Sequence, residues 1–108
     1  MSEDTIELHP TPQLIDAVSK LYKALGDPTR LKILTALTES ELNVSTISEK
    51  IGLEQSAVSH QLKVLRTNHL VASRKEGKTV YYFLDDHHVM EILAQTFKHV
   101  EHSRQQLD

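Results

Sequence analysis

A chain of 108 residues, 39% hydrophobic and 25% charged, makes one soluble domain with a modest core, so pairing with a second copy is expected. It has no cysteine, which excludes disulfides, thiol catalysis and thiolate metal sites. It has no apolar run of membrane-spanning length and no basic-then-apolar leader, which points to the cytoplasm. The net charge of −3 argues against wholesale polyanion binding, but Gln55–Lys78 holds Lys63, Arg66, Arg74, Lys75 and Lys78 against Glu76 alone, and such segregation is what local phosphate contact needs.

Residues 1–12 carry Glu3, Asp4, Glu7, Pro10 and Pro12 and read as a flexible acidic arm, with His9 in it. The folded domain is expected over residues 13–104, with a polar tail at 105–108. A first helix is predicted over Gln13–Leu25, where Leu14, Ile15, Val18, Leu21, Tyr22 and Leu25 keep the helical period behind a Thr11 cap. Gly26 stops it. Asp27 then caps a second helix that begins at Pro28 and continues to Leu37.

Asn43 or Ser45 caps a short third helix over Val44–Ile51, and Gly52 stands where a left-handed residue is wanted. The next helix, within Glu54–Asn68, has two faces. Val58, Leu62 and Leu65 form a buried stripe, whereas Gln55, Ser56, Ser59, His60 and Lys63 form a polar face without a carboxylate. Such a face suits a groove lined with hydrogen-bond acceptors and phosphates. Two short helices joined by a glycine turn make a helix-turn-helix, and the second would enter the major groove.

Two β-prone runs follow, Leu70–Lys75 and Lys78–Leu84, joined at Glu76-Gly77. They predict a hairpin with Arg74, Lys75 and Lys78 near its tip, a wing suited to gripping the DNA backbone or minor groove. A last helix is predicted over Asp86–Arg104, with Val89, Ile92 or Leu93, Thr96, Phe97 and Val100 on its apolar side. The fold class is thus mainly α with a β-hairpin.

The stretches ALGDPTRLKIL (24–34), EQSAVSHQLKVLR (54–66) and LVASRKEGKTVYYFL (70–84) resemble the ArsR/SmtB family of metal-sensing repressors, and the likeness covers about residues 21–102. The resemblance implies a winged helix-turn-helix homodimer paired through its first and last helices. It also implies a transcriptional repressor that leaves its operator on binding an inducer. In that frame Gln55, Ser56, Ser59, His60 and Gln61 would approach base edges or phosphates, and Lys63, Arg66, Arg74, Lys75 and Lys78 would hold phosphates. A twofold dimer predicts an inverted-repeat operator in double-stranded DNA.

The last helix carries Asp86, His87, His88, His99 and His102. At about 100° per residue, His88, His99 and His102 share one stripe and His87 points elsewhere. Asp86 and His88 lie roughly 16 Å along the axis from His99 and His102, too far for one metal ion with ligand bonds of about 2 Å. Two such helices packed antiparallel across a twofold axis bring Asp86 and His88 of one chain to His99 and His102 of the other. Three imidazoles and a carboxylate suit Zn(II) and tolerate Co(II). This spacing also resembles the zinc-sensing, CzrA-like branch. In the family's other common site, paired cysteines stand in the third helix; here those positions are Asn43 and Ser45. A further expectation is that the free ring nitrogen of His99 donates to backbone near Asn68–His69, tying metal to the recognition helix.

Other readings separate cleanly from this one. An enzyme is not expected, because there is no glycine-rich phosphate loop, no thiol, and no open position left by the four ligands. A nickel- or cobalt-sensing repressor would need extra ligands, for which His9 or the terminal amine is available. A metal-binding dimer without a regulatory role would lack the basic segment.

Overall fold

The computed structural model describes residues 8–107, with side chains to Arg104. Residues 1–7 of the expected acidic arm, and Asp108, lie outside the described residues. The element order is α1 (Pro12–Leu25), α2 (Pro28–Leu37), β1 (Leu42–Asn43), α3 (Val44–Ile51), α4 (Gln55–Thr67), β2 (Val71–Glu76), β3 (Thr79–Leu84) and α5 (His87–Leu107). This is a winged helix-turn-helix.

The helices start where side chains can satisfy the orphan N–H groups of a first turn. Thr11 Oγ1 accepts from Leu14 N at 3.1 Å, Asp27 Oδ2 from Arg30 N at 3.0 Å, and Asn43 Oδ1 from Thr46 N at 2.8 Å. Asp86 does the same for α5, its Oδ1 accepting from Val89 N at 3.2 Å. Glu54 precedes α4 without a side-chain cap.

Two helix ends position α4. Gly52 takes φ 71°, closing α3 and letting the chain turn into α4. Helix α4 ends with Leu70 N bonded to Leu65 O at 2.9 Å and His69 N to Arg66 O at 3.1 Å, a Schellman pair. The residue that must go left-handed there is His69, with φ 57°. Leu70 and Leu65, fully buried, supply the apolar contact that accompanies this motif.

One core lies beneath the helix-turn-helix. Ile33, Leu34, Ile47, Val58, Leu62, Leu65, Leu70 and Val71 are its fully buried side chains, with Val89 and Leu93 joining from the first half of α5. Burying a side chain of this size contributes about 1.5–3 kcal/mol. The second half of α5 finds no such cover in the protomer: Phe97 and Val100 are half-exposed, as are Leu14, Ile15, Val18 and Tyr22 along α1.

The hairpin differs from expectation in two ways. β2 runs through Glu76, which pairs with Thr79, so the two turn residues are Gly77-Lys78. Gly77 takes φ 63°, the positive φ that the first position of a tight hairpin turn demands. The hairpin is also part of a three-stranded sheet in the order β1-β3-β2, because Leu42 and Asn43 pair with Tyr82 and Tyr81. The last helix continues to Leu107 through residues expected to form a tail.

Candidate nucleic-acid interface and metal-ligand positions

Helix α4 presents the two faces its periodicity requires. Val58, Leu62 and Leu65 are fully buried, while Gln55, Ser56, Ser59, His60 and Lys63 are exposed. Gln61 departs from that set. It is half-buried, and its Oε1 accepts from Arg30 Nη1 at 3.2 Å.

The basic residues also divide. Lys63, Arg66, Lys75 and Lys78 are exposed, and none has a carboxylate within ion-pair distance among the described residues. Arg66 Nη1 donates to Ser73 Oγ at 3.3 Å, which joins the end of α4 to β2. Arg74 is exposed as well, but it is tied to other side chains. Its Nε lies 2.7 Å from Glu41 Oε1, its Nη1 lies 2.8 Å from Glu76 Oε2, and its guanidinium stacks over Tyr81 at 4.9 Å from the ring centroid. Hydrogen bonds to Glu76 and then Glu41 raise its pKa above the ordinary arginine value. Nothing in the spacing of Glu41 and Arg74 announces this tie. It exists because β1 brings the loop before it alongside β3, a pairing too short to leave a pattern.

On α5 the candidate ligands Asp86, His88, His99 and His102 form two separate groups. Asp86 Oδ1 lies 3.6 Å from His88 Nδ1 while also capping the helix. His99 and His102 stand near the other end, roughly 16 Å away along a continuous helix. All four are exposed, and no three potential ligands converge among the described residues. His87 Nε2 is paired with Glu91 at 2.9 Å, off the stripe. His99 makes no hydrogen bond among the described residues, so the expected tie from His99 to backbone at Asn68–His69 is not made within this protomer. Asn43, one of the two positions where cysteines stand in the family's other site, serves as the cap of α3.

These observations frame the comparisons with known proteins. Residues 27–73 match the model of the arsR family of bacterial regulatory proteins. The chain is 40% identical over 86 residues to a transcriptional repressor SmtB homolog of Synechocystis, covering 80% of this chain and 65% of that one. It is 42% identical over 83 residues to a cadmium resistance transcriptional regulatory protein, a CadC homolog of Staphylococcus aureus, covering 76% and 69%. The chain thus spans about two thirds of the length of these curated relatives. Among solved structures, a homodimeric winged helix-turn-helix DNA-binding domain from Mycobacterium bovis superposes with a TM-score of 0.85 at 26% identity, over 93% of this chain and 95% of that one. Fold, family model and sequence relatives agree, and the chain belongs to the arsR family of bacterial regulatory proteins.

Proposed function

We propose that the chain is a metal-responsive transcriptional repressor that binds operator DNA as a twofold dimer and releases it on taking up Zn(II) between the subunits. The observation that carries this reading is the split of ligands along α5: an Asp86–His88 pair at one end, His99 and His102 at the other. Neither half suffices alone, and a second copy supplies the complement. The relatives support the coarser role, one named as a repressor and one for cadmium resistance.

The donor set fits the ion. Asp86 keeps its second oxygen available while the first caps α5, and His88 stands beside it in solvent, so neither carries a burial penalty. Nitrogen and oxygen donors suit Zn(II), or Co(II), better than thiophilic ions. When bound, the metal would supply a cross-link between two α5 helices. Pairing is favoured by the exposed apolar side chains Leu14, Ile15, Val18 and Tyr22 of α1 and Phe97 and Val100 of α5, of which Tyr22, Phe97 and Val100 line one groove of about 370 Å³.

In the DNA-bound dimer, Gln55, Ser56, Ser59 and His60 meet base edges or phosphates of an inverted-repeat operator. Lys63, Arg66, Lys75 and Lys78 hold the backbone. Arg74 braces the wing through Glu41 and Glu76. Work on the chromosome places the protein in the cytoplasm.

The test is DNA binding by fluorescence anisotropy, with and without stoichiometric Zn(II), on wild type and His99→Ala. Zinc weakens wild-type binding by about 5- to 150-fold, and the variant stays bound. A wild type that binds DNA but ignores zinc, cobalt and nickel refutes the metal reading. A nickel or cobalt preference that disappears on removing residues 1–10 would assign extra ligands to the arm, where His9 stands.

A further inference from the structure

Gln61 lies at the border of the buried stripe of α4, off its polar face, and there its side chain meets Arg30. Arg30 sits in the first turn of α2, its own N–H fixed by the Asp27 cap at 3.0 Å. From there the guanidinium reaches two other helices at once. Nε donates to Ala24 O at 2.7 Å and Nη2 to Lys23 O at 3.4 Å, both carbonyls in the last turn of α1. Nη1 donates to Gln61 Oε1, at the middle of α4. A cation at a helix C-terminus is favoured by the partial negative charge there, so the α1 end of this contact is stable in itself. A guanidinium has no acceptor, so it also fixes which way the Gln61 amide faces: oxygen toward Arg30, NH2 away from it.

We propose that Arg30 is a positioning residue for the recognition helix. By gripping the end of α1 and the side chain of Gln61 together, it sets the angle at which α4 presents Ser56, Ser59, His60 and Lys63. One side chain therefore connects the helix with the open apolar face to the helix with the polar face. Gln61 acts through Arg30 and reads no base itself. This inference rests on the DNA-binding reading above.

The test uses the full chain and a duplex that the wild type selects from a random pool, compared with an unselected duplex of equal length. Gln61→Met keeps the side chain's length and removes the acceptor. It weakens binding to the selected duplex by about tenfold, the scale of one charge-assisted hydrogen bond, and leaves the unselected duplex within about twofold. Its salt dependence stays that of wild type, since no phosphate contact is lost. Gln61→Glu retains an oxygen for Arg30 and restores the selected-to-unselected ratio, even where its charge weakens both. The double variant Arg30→Met/Gln61→Met binds no worse than Arg30→Met alone, the non-additivity expected of one shared contact. Additive losses, or a Gln61→Met variant that loses discrimination at a single base pair while Arg30→Met keeps it, would overturn the proposal. If Arg30→Met does not fold by circular dichroism, the two Gln61 variants still decide, because a merely structural role lowers both duplexes alike. A wild type that selects no duplex overturns the DNA-binding reading, and this inference with it.

Discussion

Arg74 and Lys78 are neighbours on the wing, yet neutralising them should have different effects on DNA binding. Lys78 sits at the turn with no carboxylate partner among the described residues, whereas two nitrogens of Arg74 are committed to Glu41 and Glu76. Each phosphate neutralised adds about −0.9 to the slope of log K against log salt on duplex DNA. With Lys63, Arg66, Lys75 and Lys78 in contact, a dimer has about eight such contacts and a slope of about −7. Counting Arg74 as well would make it about −9. Lys78→Gln removes one contact per protomer and flattens the slope by about 1.8, so that raising salt from 50 to 200 mM costs that variant roughly 12-fold less affinity than wild type. Arg74→Gln should weaken binding at every salt concentration, because the wing loosens, and leave the slope unchanged. The assay is anisotropy of a labelled duplex across that salt range; a random sequence suffices, because backbone contacts are sequence-independent. A slope flattened by about 1.8 in Arg74→Gln would refute the reasoning, since it would show that the arginine leaves its carboxylates for phosphate.

Three further outcomes follow from packing and backbone geometry. His69→Gly should stabilise the chain by about 0.5–1 kcal/mol in urea unfolding, because a left-handed φ of 57° strains any residue with a Cβ; a loss of stability would mean that the imidazole contributes more than the strain costs. Leu62→Ala should destabilise by about 2–5 kcal/mol, read as an earlier thermal midpoint, because Leu62 is fully buried where α4 meets the core. Phe97→Asp should shift the chain from dimer to monomer in analytical ultracentrifugation while leaving its circular dichroism nearly unchanged, because that ring is half-exposed and outside the protomer's own core.

Much of this architecture is legible in the sequence. The Thr11 and Asp27 caps, the Gly26 and Gly52 stops and the Val58–Leu62–Leu65 stripe each obey a local rule, and each element stands where that rule places it. The sequence pattern puts the turn one residue early because Glu76-Gly77 and Gly77-Lys78 both contain the glycine. Only backbone pairing of Glu76 with Thr79 distinguishes them. β1 leaves no sequence signal because two residues carry no period. With it goes the Glu41–Arg74 tie, which joins positions 33 apart in the chain. The Arg30–Gln61 contact, 31 residues apart, escapes for the same reason: long-range polar pairs leave no local trace. That His88, His99 and His102 share one stripe is readable because a continuous helix converts spacing into angle.

The order β1-β3-β2 has a consequence for solubility. β3, with Tyr81, Tyr82 and Phe83, is the most aromatic strand, and it is shielded on both sides. The two edges left open are a strand of only two residues and a strand whose outer half is Arg74-Lys75-Glu76. Short or charged edges discourage the edge-to-edge pairing that starts aggregation. The wing's charges therefore guard the protein against self-assembly, apart from the DNA contact proposed for Lys75. Variants that strip them in order to weaken DNA contact should also precipitate at lower concentration, and a glutamate at position 75 is the substitution that separates the two effects.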